Sequence, residues 1–248
     1  MSQPVILFDL PSRDPCKCWS LNPWKTRLLL NFKGIDYKTE WTEYPDIRVK
    51  FQDKFPIPEG AATYTIPTVK LPDGKYITDS IKIAEYIEEH YPSPSIHLDS
   101  PYVPKIQKLI ATLMELGTGL RGVFLALVPE RLLNPKSVDY WMETRSKMLQ
   151  RPLSELTADE RGGKAWDHAA KSLHEVTRLL KENDGPFFAG KTVTYADFYW
   201  AGFLLFFQRF GTEVFEKLIS CTGDGEGADN VHLKLLEAVK PWSERDDH

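Results

Sequence analysis

Every segment of this chain that reads as a β-strand lies before residue 80, and this asymmetry limits the possible folds more than any other feature. Residues 5–10 form a short apolar run with Pro on both sides, which suits a buried strand. A polar stretch over 12–22 leads into 23–32. There, Pro23 at a first helical position and apolar Trp24, Leu28 and Phe32 predict a helix that Gly34 ends. Tyr37, Thr39 and Trp41 alternate with polar neighbours as in a half-buried strand. Residues 45–64 contain three Pro and read as irregular. Two further strands, 66–71 and 75–78, flank Pro72-Asp73-Gly74 and predict a hairpin. Asp79-Ser80 then cap a helix carrying Ile83, Ala84, Ile87 and Tyr91.

The order β-α-β, loop, β-β-α is that of a thioredoxin-like domain. Beyond Tyr91 the character changes. Pro92-Ser93-Pro94-Ser95 reads as a linker, and segments 105–133, 136–149, 167–182, 196–209 and 231–239 carry helical periodicity. The stretch 222–230 is too rich in Gly and Asp to be expected to pack. The expected organisation is an α/β thioredoxin-like domain over 1–91, a linker over 92–102 and an all-helical domain over 103–248.

Composition removes several function classes. A net charge of −4 without any run of Lys or Arg speaks against a nucleic-acid partner. The longest apolar stretches, 123–128 and 199–207, fall far short of a membrane span. Met1-Ser2-Gln3-Pro4 lacks the charged and apolar parts of a leader. Three Cys cannot form a closed disulfide set, and together these features lead us to expect a cytoplasmic protein. Aromatic residues make up 12% of the chain, enough to build cores and also to line a pocket for flat ligands.

Three short motifs carry chemistry when taken together. Pro67 in Ile66-Pro67-Thr68 cannot donate to a sheet ladder, so it marks a strand start, an edge, a bulge or a cis peptide. A cis bond would leave the Ile66 N–H and C=O free for a ligand peptide. Asp79-Ser80 at a helix start is by itself an N-cap. The same pair can also hold an α-amino-acid group, Ser80 taking the carboxylate and Asp79 the ammonium. Thr194-Tyr195-Ala196-Asp197, following Gly190, reads as a capping box with a structural meaning.

These three motifs, in this order and across these two halves, resemble the cytosolic glutathione transferases over nearly the whole chain. Trp19-Ser20-Leu21-Asn22-Pro23-Trp24-Lys25 is similar to the W-S-P-N-x-W-K pattern of the fungal etherase-related (Fua) class, relatives of bacterial lignin β-etherases. Leu21 stands where that pattern has Pro. The resemblance implies a transferase whose co-substrate is glutathione, bound by Ile66, Pro67, Asp79 and Ser80. Its thiolate would be stabilised by Ser20, with Asn22 as neighbour or replacement, at a helix start that lowers a thiol's pKa. A hydrophobic electrophile, an aromatic compound or ether, is expected between Trp24 and the first long helix of the second half, at Leu113, Leu116 and Phe124. A homodimer is the family's expectation. Neither a metal nor a nucleotide is expected.

Two alternatives use the same residues differently. A non-catalytic carrier of aromatic metabolites would keep the glutathione site without turnover. A Cys-dependent reductase or deglutathionylase would use Cys16 or Cys18, but their C-x-C spacing is not the redox C-x-x-C and both precede Ser20. They are expected to be bystanders, and His90 and His97 surface residues. Gly117-Thr118-Gly119-Leu120-Arg121-Gly122 fits the dinucleotide pattern G-x-G-x-x-G, yet a helix precedes it where a strand is required.

Overall fold

The computed structural model describes residues 4–225, 227 and 229–247. Residues 1–3, on which the leader expectation rests, lie outside the described residues, as do Glu226 and Ala228 of the polar segment and His248.

One mixed sheet has the strand order β2-β1-β3-β4. β1 (Val5–Asp9) and β2 (Tyr37–Trp41) run parallel, Val5 beside Tyr37 and Asp9 beside Trp41. A parallel pair needs a crossover, and α1 (Leu21–Phe32) supplies it. α1 starts two residues before Pro23, with Ser20 as its N-cap, and Gly34 follows in the left-handed conformation at φ 64°. The segment expected to be irregular contains a short helix, α2 (Asp46–Phe51), which buries Ile47 and Phe51 at one-turn spacing. β3 (Thr68–Lys70) pairs antiparallel with β1 and, through the hairpin, with β4 (Tyr76–Thr78). α3 (Ser80–His90) follows at once.

All later α-helices belong to the second half. The single periodic run expected over 105–133 is broken into α4 (Tyr102–Leu113) and α5 (Arg121–Arg131). Between them the chain reverses through Gly117 at φ 87°, and the Leu120 N–H donates to the Leu113 carbonyl at 2.7 Å. Gly117 and Gly119 of the G-x-G-x-x-G pattern serve this turn, while Gly122, within α5, makes room for the Glu160 carbonyl. α6 (Pro135–Leu149), α7 (Ala158–Arg161), α8 (Gly163–Leu180), α9 (Tyr195–Gln208), α10 (Thr212–Ser220) and α11 (Val231–Ser243) complete the domain. α7 and α10 have no counterpart in the sequence reading. Part of the polar segment does pack: Thr222 is buried, and Asp224 pairs with Lys181 and accepts from the Val231 N–H at 2.6 Å. Those bonds compensate for the lack of apolar surface.

α9 is the axis of the molecule. Twelve of its residues are buried, as expected for a helix apolar all round. The capping box at its start is present, with the Thr194 N–H donating to Asp197 at 2.7 Å and the Phe188 N–H at 2.9 Å. Burial nevertheless pushes the Asp197 carboxyl up to about 6, against those hydrogen bonds. Gly202 lets α1 approach closely: a Cβ there would lie 3.2 Å from the Leu21 carbonyl oxygen and 3.3 Å from the Trp24 Cβ. The start of α1 is thereby pressed against the second domain. The far end of the chain closes over the other side of α1, with the Cys18 N–H donating to the Asp246 carbonyl at 2.6 Å. No helix among the described residues is long and apolar enough to cross a membrane.

Candidate functional site

A cleft of about 500 Å³ lies between the sheet domain and the helical domain. On the sheet side it is floored by Thr65, Ile66 and Pro67, joined by a cis peptide at Ile66–Pro67, and by Asp79, Ser80 and Ile81. Ile66 makes no backbone hydrogen bond among the described residues. Its peptide groups are the ones a ligand's amide would need.

Asp79 is the N-cap of α3 at φ 78°, an uncommon conformation for a residue with a side chain. Its Oδ1 accepts from the Ile81 N–H at 3.0 Å. Ser80 is buried, and its carbonyl accepts from the Tyr195 hydroxyl at 2.8 Å. That bond ties the start of α3 to the first turn of α9, so the two domains hold this corner jointly. The first turn of α3 has no acidic side chain, so the Asp79 cap is the carboxylate at its positive end.

α1 contributes a second helix start to the same cleft. Leu21, exposed Asn22 and buried Lys25 line it, whereas Ser20 does not. The Ser20 side chain makes no capping hydrogen bond. Lys25 is only 6% exposed, and its Nζ lies 4.3 Å from the centroid of the Tyr199 ring. Burial pulls its ammonium down to about 8, with Asp79 opposing the change. Tyr199, also on the cleft, has its phenol pushed up to about 12, chiefly by burial, and so stays a neutral donor.

The helical wall differs from the expectation. Gln107, Ile110, Ala111 and Met114 line the cleft, a stripe spaced i, i+3, i+4, i+7 along α4 and onto its C-cap, joined by Arg121 at the start of α5. Trp24, Leu113, Leu116 and Phe124 are not among the lining residues. Leu113 is one residue before Met114, about 100° round the helix from it, and is fully buried in the core. Leu116 sits in the reversal, Phe124 packs edge-on against Phe206 with centroids 5.5 Å apart, and Trp24 is buried under α9.

Cys16 and Cys18 also stay off the cleft wall. Burial raises the thiol pKa at both, and at Cys18 it does so strongly, with Asp9 adding to the effect. Neither is poised as a thiolate. No group of His, Cys, Asp or Glu among the described residues has the makings of a metal site.

The structure therefore brings together Asn22, Ile66, Pro67, Asp79 and Ser80 in one cleft. The sequence reading assigns no site role to Lys25, Gln107, Met114, Arg121 or Tyr199. Lys25 was legible: three residues after Asn22 on a helix, it must share that face. The rest depend on how α4, α5 and α9 meet. Two helix starts, Lys25 and Arg121 against the one carboxylate of Asp79 make a cleft suited to a ligand with more negative than positive charge.

Comparison with known proteins fits this geometry. Residues 19–90 match the family model of the glutathione S-transferase N-terminal domain, and residues 113–224 that of the C-terminal domain. The chain is 32% identical, over 90% of its length and 87% of the relative's, to the glutathione S-transferase-like protein ustS of Aspergillus flavus. Among solved structures, glutathione transferase GSTFuA3 of Phanerochaete chrysosporium is 26% identical at a TM-score of 0.78, covering 98% of both chains. A glutathione S-transferase of Ceriporiopsis subvermispora, solved in complex with glutathione, is 26% identical at a TM-score of 0.79 and covers 99% of this chain and 100% of its own.

Proposed function

This chain belongs to the glutathione S-transferase family, and we propose that it binds glutathione in the interdomain cleft and turns its thiol against hydrophobic, aromatic electrophiles or ethers. The observation that carries this reading is the convergence of Ile66, Asp79, Ser80 and Asn22 on one cleft. Glutathione has two carboxylates and one ammonium, and the excess of negative charge suits the polarity of the site. Its backbone would pair with Ile66, its α-carboxylate with Ser80 and the start of α3, its ammonium with Asp79. The relative solved with glutathione supports the co-substrate.

The sulfur would then point to the start of α1. There the helix dipole and the Asn22 amide favour thiolate over thiol, a combination that lowers a thiol's pKa by about a unit or more. Asn22 precedes Ser20 in this role because only Asn22 lines the cleft. In the reaction the thiolate sulfur bonds to the electrophilic carbon, and a halide or, in an aryl ether, a phenoxide leaves with the bonding pair. A cytoplasmic homodimer, with the sheet domain of one subunit against the helical domain of the other, goes with the family.

The test is turnover of glutathione with chlorodinitrobenzene alongside calorimetric glutathione binding. Asn22→Ala is expected to lower kcat by about tenfold and to move the acid limb of the pH–rate profile upward, with Ser20→Ala weaker. A profile that neither substitution moves would refute these roles. Saturable binding of aromatic ligands with no turnover of any electrophile would favour the carrier instead.

A further inference from the structure

Arg121 occupies the helical wall of the cleft under conditions that oppose a cation. It is the first residue of α5, where the helix dipole is positive, and that first turn contains no acidic side chain. Burial lowers its pKa, and Arg145 lies close enough to add to that effect. Its Nε donates to the Met114 carbonyl, and one Nη approaches the Met148 sulfur at 3.4 Å, a weak acceptor. No ion pair joins Arg121 to an Asp or Glu among the described residues. The acid that does attract it, Glu115, accepts instead from the Thr118 hydroxyl at 3.0 Å. Arg145 is likewise spent on aromatic faces, 4.1 Å from the Trp141 centroid and 5.1 Å from that of Tyr44. This end of the cleft thus holds positive charge that Glu115 offsets only at a distance, with no direct ion pair among the described residues.

We propose that Arg121 reads a carboxylate on the electrophile, so that the preferred acceptors are aromatic or unsaturated acids whose apolar body lies against Ile110, Met114 and Tyr199. The proposal rests on the glutathione-transfer reading and narrows its substrate class. Ile110 and Met114 give the apolar contact, and the planar guanidinium offers the paired donors that a carboxylate accepts. The acid group takes no part in bond making. With a chloronitrobenzoate, the thiolate sulfur bonds to the carbon bearing chlorine, chloride leaves with the C–Cl pair, and the carboxylate only anchors the ring.

The experiment compares para-chloro-meta-nitrobenzoate with the corresponding benzamide, using the full chain and glutathione. Each kcat/KM is divided by the uncatalysed rate constant, and the acid-to-amide ratio is read. The wild type is expected to favour the acid by about tenfold or more, the effect of a hydrogen bond to a charged group. Arg121→Gln should bring the ratio to near one and Arg121→Lys should restore part of it, mainly through KM for the acid. A merely structural Arg121 would lower both rates and leave the ratio alone, and that result overturns the proposal, as does a wild-type ratio near one. Calorimetry with the two product conjugates separates the layers. A preference for the carboxylated conjugate that Arg121→Gln removes, without turnover of either electrophile, would overturn the transferase reading and keep the recognition. No preference would overturn the recognition itself.

Discussion

Helix α9 divides two places where polar groups are buried, and the chain treats them in opposite ways. Behind it, His232 is held by a closed relay. The Trp200 indole N–H donates to His232 Nδ1 at 2.9 Å, Nε2 meets the Thr177 hydroxyl at 2.8 Å, and that hydroxyl reaches the Thr222 carbonyl at 2.7 Å. Since the indole only donates, Nδ1 must accept, so the proton sits on Nε2 and every link has one donor and one acceptor. In front of α9, Lys25 rests on the Tyr199 ring and Arg121 has only a carbonyl and a thioether. The imidazole behind α9 is satisfied by the chain, whereas the two cations facing the cleft are left open to a ligand.

The Asp9–Arg27 pair is a second closed cluster and offers the largest way to break the contrast. Both side chains are fully buried, 2.7 Å apart, and Arg27 also donates to the Thr39 hydroxyl at 2.8 Å. Asp9→Ala would remove the buried carboxylate opposite the Arg27 guanidinium and leave the Leu10 N–H without its 2.6 Å acceptor. A loss of about 3–5 kcal/mol is expected in urea unfolding. Asp9→Asn keeps one acceptor oxygen but turns an NH2 against the other donor, so it should recover only a small part of that loss. A loss below about 1 kcal/mol for Asp9→Ala would mean that the cluster is not closed in the sense argued.

The relay at His232 predicts a pH dependence. Burial pulls this imidazole down to about 4 from 6.5, so below 6.5 the unfolded chain takes a proton that the folded chain refuses. Stability contributed by the neutral ring is therefore complete above pH 6.5 and is lost as pH falls toward 4, by at most about 3 kcal/mol. A charged ring would turn an Nδ1 proton against the indole N–H. His232→Gln, whose amide offers one acceptor and one donor to the same neighbours, should flatten that part of the stability curve in urea titrations between pH 7 and 4. An unchanged slope would show that other groups set the acid limb.

These contrasts also explain what the sequence made legible. Local rules found the strands, the cap at Asp79 and the box at Thr194–Asp197, because each depends on residues within a few positions of one another. They missed the short α2, and they read α4 and α5 as one helix because Gly117 alone does not reveal a reversal. Within α4 itself, the choice between Leu113 and the Ile110–Met114 stripe depends on which apolar face meets the sheet domain, and that is not written in the local pattern. Asn22, Ile66, Asp79 and Ser80 stood out through motifs. Tyr199 did not, since one hydroxyl in a run of aromatic residues looks like core until the neighbouring helices are placed.

Lys25 gives the smallest effect in stability and the one with opposite sign. Its ammonium near 8 lies below the ordinary 10.5, so charged Lys25 costs the fold stability at and below pH 8, and the cost fades as pH rises through 10.5. Lys25→Met keeps the length and apolar contact on Tyr199 and removes the charge. The variant should be more stable than the wild type by about 1–2 kcal/mol at pH 7, less than the full shift because the aromatic face compensates in part. That advantage should shrink between pH 8 and 10. Glutathione binding should weaken in the same variant, since a cation beside Asp79 and Ser80 is lost from a cleft that receives a net anion. Gained stability with unchanged binding would place Lys25 among the structural residues behind α9 and remove the contrast at its sharpest point. Lost stability would mean that the ammonium is already satisfied within the chain.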